Sequence, residues 1–437
     1  MELLDRWVDR QYRHAAQAML MSVSPLGLIK HRPGFGQTVL PKQGSIVASP
    51  VLAAYDPDPD YFFHWYRDSA VVMDALRLLF EDGSVGPDAL AQLSNFMRFS
   101  LALQSLDGRA LVAASDWRTR VAPDFTKFLR TDADLASVHG DAVSAETRVN
   151  ADGTLDISSW PRPQNDGPAL RALTLLRWER CIRGDSELSA SLAVLLAADL
   201  VYTLKHWRDP SFDIWEEEKG LHYYTLCVAA AALEAGAGWL DEHGNAQEAR
   251  AAGADVEAIR RTLDTYWLED RGYYKSRVLE SGERSAKELD IAVILAALHG
   301  SGSGNTHGVH DARMHATLAR LEALFDADYP INRDRPSGRA PAMGRYAGDK
   351  YYSGGAYYFS TLAAAEFCFR AAVGSGVAPA LVRRGDAFLE TIRCFTPPSG
   401  DLSEQFDKTT GVQTSARHLA WSYAAFISCV VARRAVA

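Results

Sequence analysis

The chain has 437 residues, 47% hydrophobic and 23% charged, enough apolar side chain to bury a large core and too little charge excess for a disordered segment. Its formal net charge of -9 is spread over interspersed acidic and basic residues, with no Lys/Arg-rich stripe to neutralise phosphates, which argues against a nucleic-acid partner. The cysteines, Cys181, Cys227, Cys368, Cys394 and Cys429, are odd in number and widely spaced, without a CxxC pair, so they read as free thiols rather than a zinc or redox site.

The opening MELLDRWVDRQYRHAAQAML threads charges through apolar positions at roughly 3.6-residue spacing, predicting a first helix over 3–22 with a charged outer face rather than a secretory leader. Further helices are predicted at 68–82, 87–104, 166–183, 190–207, 221–236, 244–266, 288–299, 310–327, 354–372, 376–393 and 413–434. The apolar run at 188–204 is broken by Asp199 and reads as too short for a membrane span, so a cytoplasmic location and no membrane partner are expected. No Pro/Ser-rich linker divides the chain, and GSGSGN at 300–305 is its one low-complexity patch, so a single domain over 1–437 is expected.

The connections alternate. Those after the odd-numbered segments (23–67, 105–165, 208–220, 267–287, 328–353 and 394–412) are long and rich in Gly, Pro, Trp, Tyr and charge; those after the even ones are mostly short. If odd helices lie outside and even helices inside, every long loop emerges at one end of a closed all-α barrel of about twelve helices, with the site in those loops. Segments 360–372 and 419–432, apolar nearly all round, suit an inner ring. An irregular helical array or solenoid is the alternative, although no repeating sequence unit is visible.

Acidic and aromatic residues gather in the long loops. PDYFFHWYRDSA (59–70) holds Tyr61, Trp65, Arg67 and Asp68, and SSWPRPQNDGPALRA (158–172) holds Trp160. FDIWEEEKG (212–220) supplies Asp213, Trp215 and the run Glu216, Glu217, Glu218. MGRYAGDKYYSGGAYYF (343–359) adds Arg345, Asp349 and five tyrosines, Tyr351 among them, and LSEQFDKTTGVQTSARHLAWSYAAF (402–426) adds Glu404 and Trp421. Aromatic faces pack against the C–H face of a pyranose, and Arg and carboxylate groups hydrogen-bond its hydroxyls. Two carboxyl groups on separate loops, one protonated and one ionised, are what glycosidic hydrolysis requires. From the residues alone, however, the glutamate run reads more simply as a solvated acidic turn before a helix, Glu404 as an exposed turn residue, and His222 as a satisfied loop histidine. Asp132 and Asp134 lack an aspartate-rich magnesium motif, and neither metal-ligand spacing nor a phosphate loop is present, so no cofactor is expected.

Taken in order, GSIVASP (44–50), DPDYFFHWYRDSA, SSWPRPQNDGPALRA, FDIWEEEKG, MGRYAGDKYYSGG and LSEQFDKTTGVQTSARHLAWSYAAF closely resemble the glucoamylase family, inverting exo-acting α-glucoside hydrolases with an (α/α)6 barrel. The resemblance implies that Glu216 is the general acid and Glu404 the general base that activates water, with carboxyls roughly 6.5–9.5 Å apart. It further implies that Arg67, Asp68, Glu217 and Arg345 hold the terminal glucose and its neighbour. Tyr61 is implied to lie near the developing oxocarbenium ion, with Trp65, Trp160, Trp215 and Trp421 as aromatic walls and Asp213 as the carboxylate beside the acid; Tyr351 is placed with the substrate-binding set. The chain departs from the family pattern at Tyr66 (usually Thr), Pro161 (usually Gly) and Tyr357 (Trp in fungal members), mostly outside the first sugar's position. With no starch-binding module expected, the implied substrate is a soluble oligosaccharide, α-1,4-linked first, with α-1,6-linked sugars or trehalose as alternatives. A non-catalytic sugar-binding domain is the rival from another class. Oligomeric state is not readable.

Overall fold

The computed structural model describes residues 3–54, 57–114, 116–182, 184–300 and 306–436. Among them the chain forms α1 (Leu4–Leu20), α2 (Tyr66–Glu81), α3 (Asp88–Leu103), α4 (Gly108–Ala113), α5 (Asp132–Ala136), α6 (Asp141–Ser144), α7 (Asp166–Glu179) and α8 (Ser186–His206). It continues with α9 (Tyr223–Glu242), α10 (Ala246–Asp264), α11 (Ala292–His299), α12 (Ala312–Asp328), α13 (Tyr358–Ala372), α14 (Ala378–Phe395) and α15 (Ala420–Arg434). Each predicted segment falls on one of these helices, the shortest so matched being α11 at eight residues. The short helices α4 to α6, inside the 105–165 connection, were missed because four to six residues are too few to show a 3.6-residue period. Three predicted starts run four or more residues early: α11 begins at Ala292 rather than 288, Ala356–Tyr357 and Gln413–Thr414 carry short strands before α13 and α15, and Ser415 and His418 take positive φ, which ends any helical path there. Most of the 300–305 patch lies outside the described residues.

α2 packs on α7, α7 on α9, α9 on α11, α11 on α13, α13 on α15, and α15 returns to α2. That closure makes the fold an (α/α)6 barrel and removes the open-array alternative. Outside it, α1 packs on α15, α3 on α2 and α8, α8 on α7, α10 on α9, α12 on α11 and α14 on α13. Burial follows the ring: α13 buries every residue except Arg370, whereas α10 buries only Ala252, Val256, Ile259 and Leu263, one stripe at helical spacing. α8 is, among the described residues, the one helix long and apolar enough to cross a membrane by length and composition, more than the sequence reading allowed; here it lies in the outer ring against α7 and α9, partly buried.

Short strands fasten the long loops in neighbouring pairs. β1 (Lys30–Arg32) and β2 (Gln37–Val39) form a hairpin, β3 (Phe63–Trp65) pairs antiparallel with β4 (Arg148–Asn150), and so the approach to α2 is tied to that of α7. β5 (Ser211–Phe212) and β6 (Lys219–His222) precede α9; past the small pair β7 (Trp267–Leu268) and β8 (Tyr273–Tyr274), β9 (Arg277–Leu279) joins them from the approach to α11. β10 (Ala356–Tyr357), β11 (Gln405–Phe406) and β12 (Gln413–Thr414) do the same for α13 and α15. Gly167, near the start of α7, lets that helix come against α2: a Cβ there would lie 2.6 Å from the Cβ of Tyr66.

Candidate active site

The approaches to the six inner helices converge at one end of the barrel. There Ala48, Tyr61, Trp65, Arg67, Asp68, Ile214, Trp215, Glu216, Arg345, Phe359, Glu404, Leu419 and Trp421 line one small cavity. Nine of these were singled out from the sequence.

Glu216 lies on the tight turn between β5 and β6, which projects its side chain from the barrel end. Its Oε1 accepts Trp65 Nε1 at 2.8 Å and Arg67 Nη2 at 3.1 Å, and its Oε2 accepts Trp160 Nε1 at 2.5 Å. Three donors from two other loops therefore fix the carboxyl plane. Glu404, just before β11, has one such partner, the Ser415 hydroxyl. It is 8% exposed, and burial pushes its carboxyl up to about 7 despite the Ser415 hydrogen bond and the nearby Arg345 charge.

Arg67 and Asp68 stand at the first turn of α2, where the backbone presents them to the cavity. Arg67 pairs with Asp166 at 3.3 Å, with Glu216, and with Asp68 at 3.5 Å. Burial raises Asp68 to about 6, with Arg67 opposing and Glu216 adding, and its Oδ2 makes no hydrogen bond. A buried carboxylate oxygen left so is a ready acceptor for a ligand hydroxyl. Arg345 is held by both oxygens of Asp349 at 2.7 Å and reaches Glu217 at 3.1 Å. One wall is an aromatic stack: Phe359 lies 4.6 Å from Trp421 at 8°, and Trp215 lies 5.9 Å from Phe359 at 22°.

The remaining nominated residues stand around this wall rather than in it. Trp160 touches the site through Glu216. Glu217 turns to Lys287 Nζ (2.8 Å), Arg345 and the Tyr346 hydroxyl. Tyr351 shares a 2.6 Å hydroxyl contact with Tyr61. Asp213, nominated for substrate contact, has its carboxylate taken up by the N–H groups of Glu217 and Glu218 and by Arg277, because the turn needs an acceptor there. His222, at the end of β6, is buried with Nε2 near the Ser211 carbonyl and Nδ1 without a hydrogen bond, so it is only half satisfied; burial pulls it down to about 4, which keeps it neutral. Asp132 and Asp134 pair with Arg118 and Arg130.

Of the departures, Tyr66 lies against Arg171, the Pro161 carbonyl accepts the Thr147 hydroxyl, and Tyr357 is buried behind Arg345 on Asp349; none lines the cavity. Ser415, Asp290, Arg277 and Lys287 went unremarked in the sequence, since single polar residues in polar loops carry no pattern. Asp290 is fully buried and accepts Trp215 Nε1 at 2.9 Å.

A family model described as glycosyl hydrolases family 15 matches residues 116–383 and 373–431. Over 473 residues the chain is 28% identical to a probable glucoamylase of Schizosaccharomyces pombe, covering 99% of this chain and 92% of that protein. It is 25% identical to glucoamylase 1 of Rhizopus oryzae, covering 98% and 71%. Among solved structures, it matches the glycoside hydrolase family 15 glucoamylase from Hypocrea jecorina with a TM-score of 0.81 at 23% identity (99% of this chain, 73% of that one). The glucoamylase from Saccharomycopsis fibuligera matches with a TM-score of 0.79 at 21% identity (99% and 96%), likewise a likeness of fold.

Proposed function

Since this chain belongs to glycosyl hydrolases family 15 and is a glycoside hydrolase, we propose that it removes single glucosyl units from the non-reducing ends of α-linked oligosaccharides with inversion, releasing β-D-glucose. The observation that carries this reading is the pairing of Glu216 and Glu404, from separate loops, in the wall of one cavity. Arg67, Asp68 and Arg345 supply charged hydrogen-bonding groups for sugar hydroxyls, and the Trp215–Phe359–Trp421 stack supplies an apolar face. Malto-oligosaccharides are the first candidate; isomalto-oligosaccharides and trehalose call for the same chemistry.

In this mechanism Glu216 protonates the departing glycosidic oxygen while Glu404, ionised, takes a proton from the water that attacks the anomeric carbon from the opposite face. One observation favours the exchanged assignment: burial raises Glu404 to about 7, which suits a proton donor. Against it stands the sequence resemblance, which implies Glu216 as the acid and Glu404 as the base.

Proton NMR with maltose, isomaltose and trehalose in parallel tests the main reading. The β-anomer of glucose should appear first, and the initial rates rank the linkages; α-glucose first would end the inverting assignment. Ser415→Ala tests the roles. Losing that hydroxyl disfavours ionised Glu404, so its carboxyl titrates higher, by roughly half a unit to one unit. If Glu404 is the base, it is lost to protonation at higher pH and the acidic limb of kcat/KM moves up. Movement of the alkaline limb instead would make Glu404 the acid.

A further inference from the structure

The turn that carries Glu216 runs against backbone preference. Glu216 has φ of +63°, in the left-handed region that residues with a Cβ seldom occupy. Its N–H donates to the Asp213 carbonyl at 2.9 Å, and the Asp213 carboxylate accepts the N–H groups of Glu217 at 2.7 Å and Glu218 at 3.2 Å. Asp213 thus closes the turn on both sides of Glu216. At 3% exposure its carboxylate needs a cation to stay charged, and Arg277 Nη1 provides one at 2.7 Å. His222, also near Asp213, does not substitute, because burial keeps it neutral.

Arg277 comes from the approach to the next inner helix, on β9, where it pairs with His222 of β6. Its Nη1 also reaches Glu218 Oε2 at 2.9 Å, Nε reaches Ser276 Oγ at 2.9 Å, and Nη2 donates to Asp290. Asp290 in turn accepts Trp215 Nε1 and caps α11 through the N–H of Ala292 at 2.8 Å. Trp215 is the residue immediately before Glu216 and part of the cavity wall. One guanidinium therefore grips the backbone of the Glu216 turn through Asp213 and the ring of its neighbour through Asp290.

We infer that Arg277 is a positioning residue for Glu216: it touches neither the cavity nor the Glu216 side chain, and it holds the turn in the one conformation that aims the carboxyl at the glycosidic oxygen. This rests on the reading of Glu216 as proton donor. A carboxyl displaced by about 1 Å loses on the order of 100-fold in proton transfer without losing the binding groups on other loops. Mispositioning therefore harms a substrate whose leaving oxygen must be protonated and spares one whose leaving group needs little help.

The test compares the wild type with Arg277→Gln and Arg277→Lys, each checked for folding by near-ultraviolet circular dichroism, on the preferred disaccharide and on α-D-glucosyl fluoride. In Arg277→Gln, kcat on the disaccharide should fall at least about 30-fold, with fluoride turnover and both KM values within about threefold of wild type. Arg277→Lys should lie between, because an ammonium reaches one carboxylate where the guanidinium reaches several. Parallel losses on the two substrates, or a disaccharide loss under about threefold, overturn the inference. If the Gln variant does not fold, the Lys variant decides by the same two-substrate comparison. A wild type inactive on both substrates fails the glucosidase reading and Arg277 with it; an active wild type with parallel losses fails Arg277 alone.

Discussion

Glu404→Gln should lower kcat at least about 100-fold on every substrate, α-D-glucosyl fluoride included, with KM nearly unchanged. An amide keeps the size of the side chain and its acceptor for Ser415 but cannot take a proton from water. Because fluoride hydrolysis by inversion still needs an activated water, a better leaving group brings no relief. The loss has to be separated from unfolding, and the electrostatics give the sign. Burial raises the Glu404 carboxyl from 4.5 to about 7, so the folded state holds its proton where the unfolded state has released it. Across that window the unfolded state binds fewer protons, and the wild type loses stability from this group as pH rises from 4.5 to about 7. The variant lacks that slope. Its melting temperature at pH 7 should equal or exceed that of the wild type, measured by thermal scans at pH 4.5 and pH 7. Turnover within tenfold of wild type would remove Glu404 from the mechanism.

Glu216→Gln should show the opposite substrate pattern: a loss of at least about 100-fold on the preferred disaccharide and retention of most activity on α-D-glucosyl fluoride. Fluoride departs without a proton donor, whereas an alcohol leaving group must be protonated as the bond breaks. Steady-state kinetics on both substrates with the two Gln variants side by side decides the assignment. If Glu404→Gln keeps fluoride hydrolysis and Glu216→Gln loses it, the roles are exchanged, as the raised Glu404 carboxyl would favour. The geometry adds a constraint on interpretation. Glu216 accepts Trp65 Nε1 and Arg67 Nη2 on one oxygen and Trp160 Nε1 on the other. An amide placed there turns an acceptor into a donor facing one of these N–H groups, so Glu216→Ala should accompany it as a control for repulsion.

Several features of this site come from local pattern and others from long-range pairing. Trp65, Arg67 and Asp68 were visible as one short stretch because β3 runs straight into the first turn of α2, so neighbours in sequence are neighbours in space. Asp213 shows the limit of such reading. Asp213 and Glu216 stand three residues apart in FDIWEE, yet Glu216 faces the cavity and Asp213 is folded back under the turn, a difference set by the positive φ at Glu216 and the cation beneath Asp213. Arg277 and Asp290 stand 64 and 77 positions after Asp213, in a loop whose polar residues have no period, and nothing local marks them.

The sequence by itself determined the twelve helices of the two rings and their order, though not the short helices α4 to α6. Apolar spacing is imposed by each helix's own burial, and all-round apolar character already marked 360–372 and 419–432 as inner, although the equally apolar α8 lies outside. It also determined where the long loops lie, since turn and aromatic residues cluster there. The tertiary structure alone decided that the inner ring closes from α15 back to α2, which loops are stapled by β3–β4, β6–β9 and β10–β11, and which carboxylates share the cavity. The physical reason is range. Periodicity and capping act over a few residues, whereas ring closure and buried charge pairing join residues far apart in the chain, and their energy depends on desolvation that exists only once the barrel has formed.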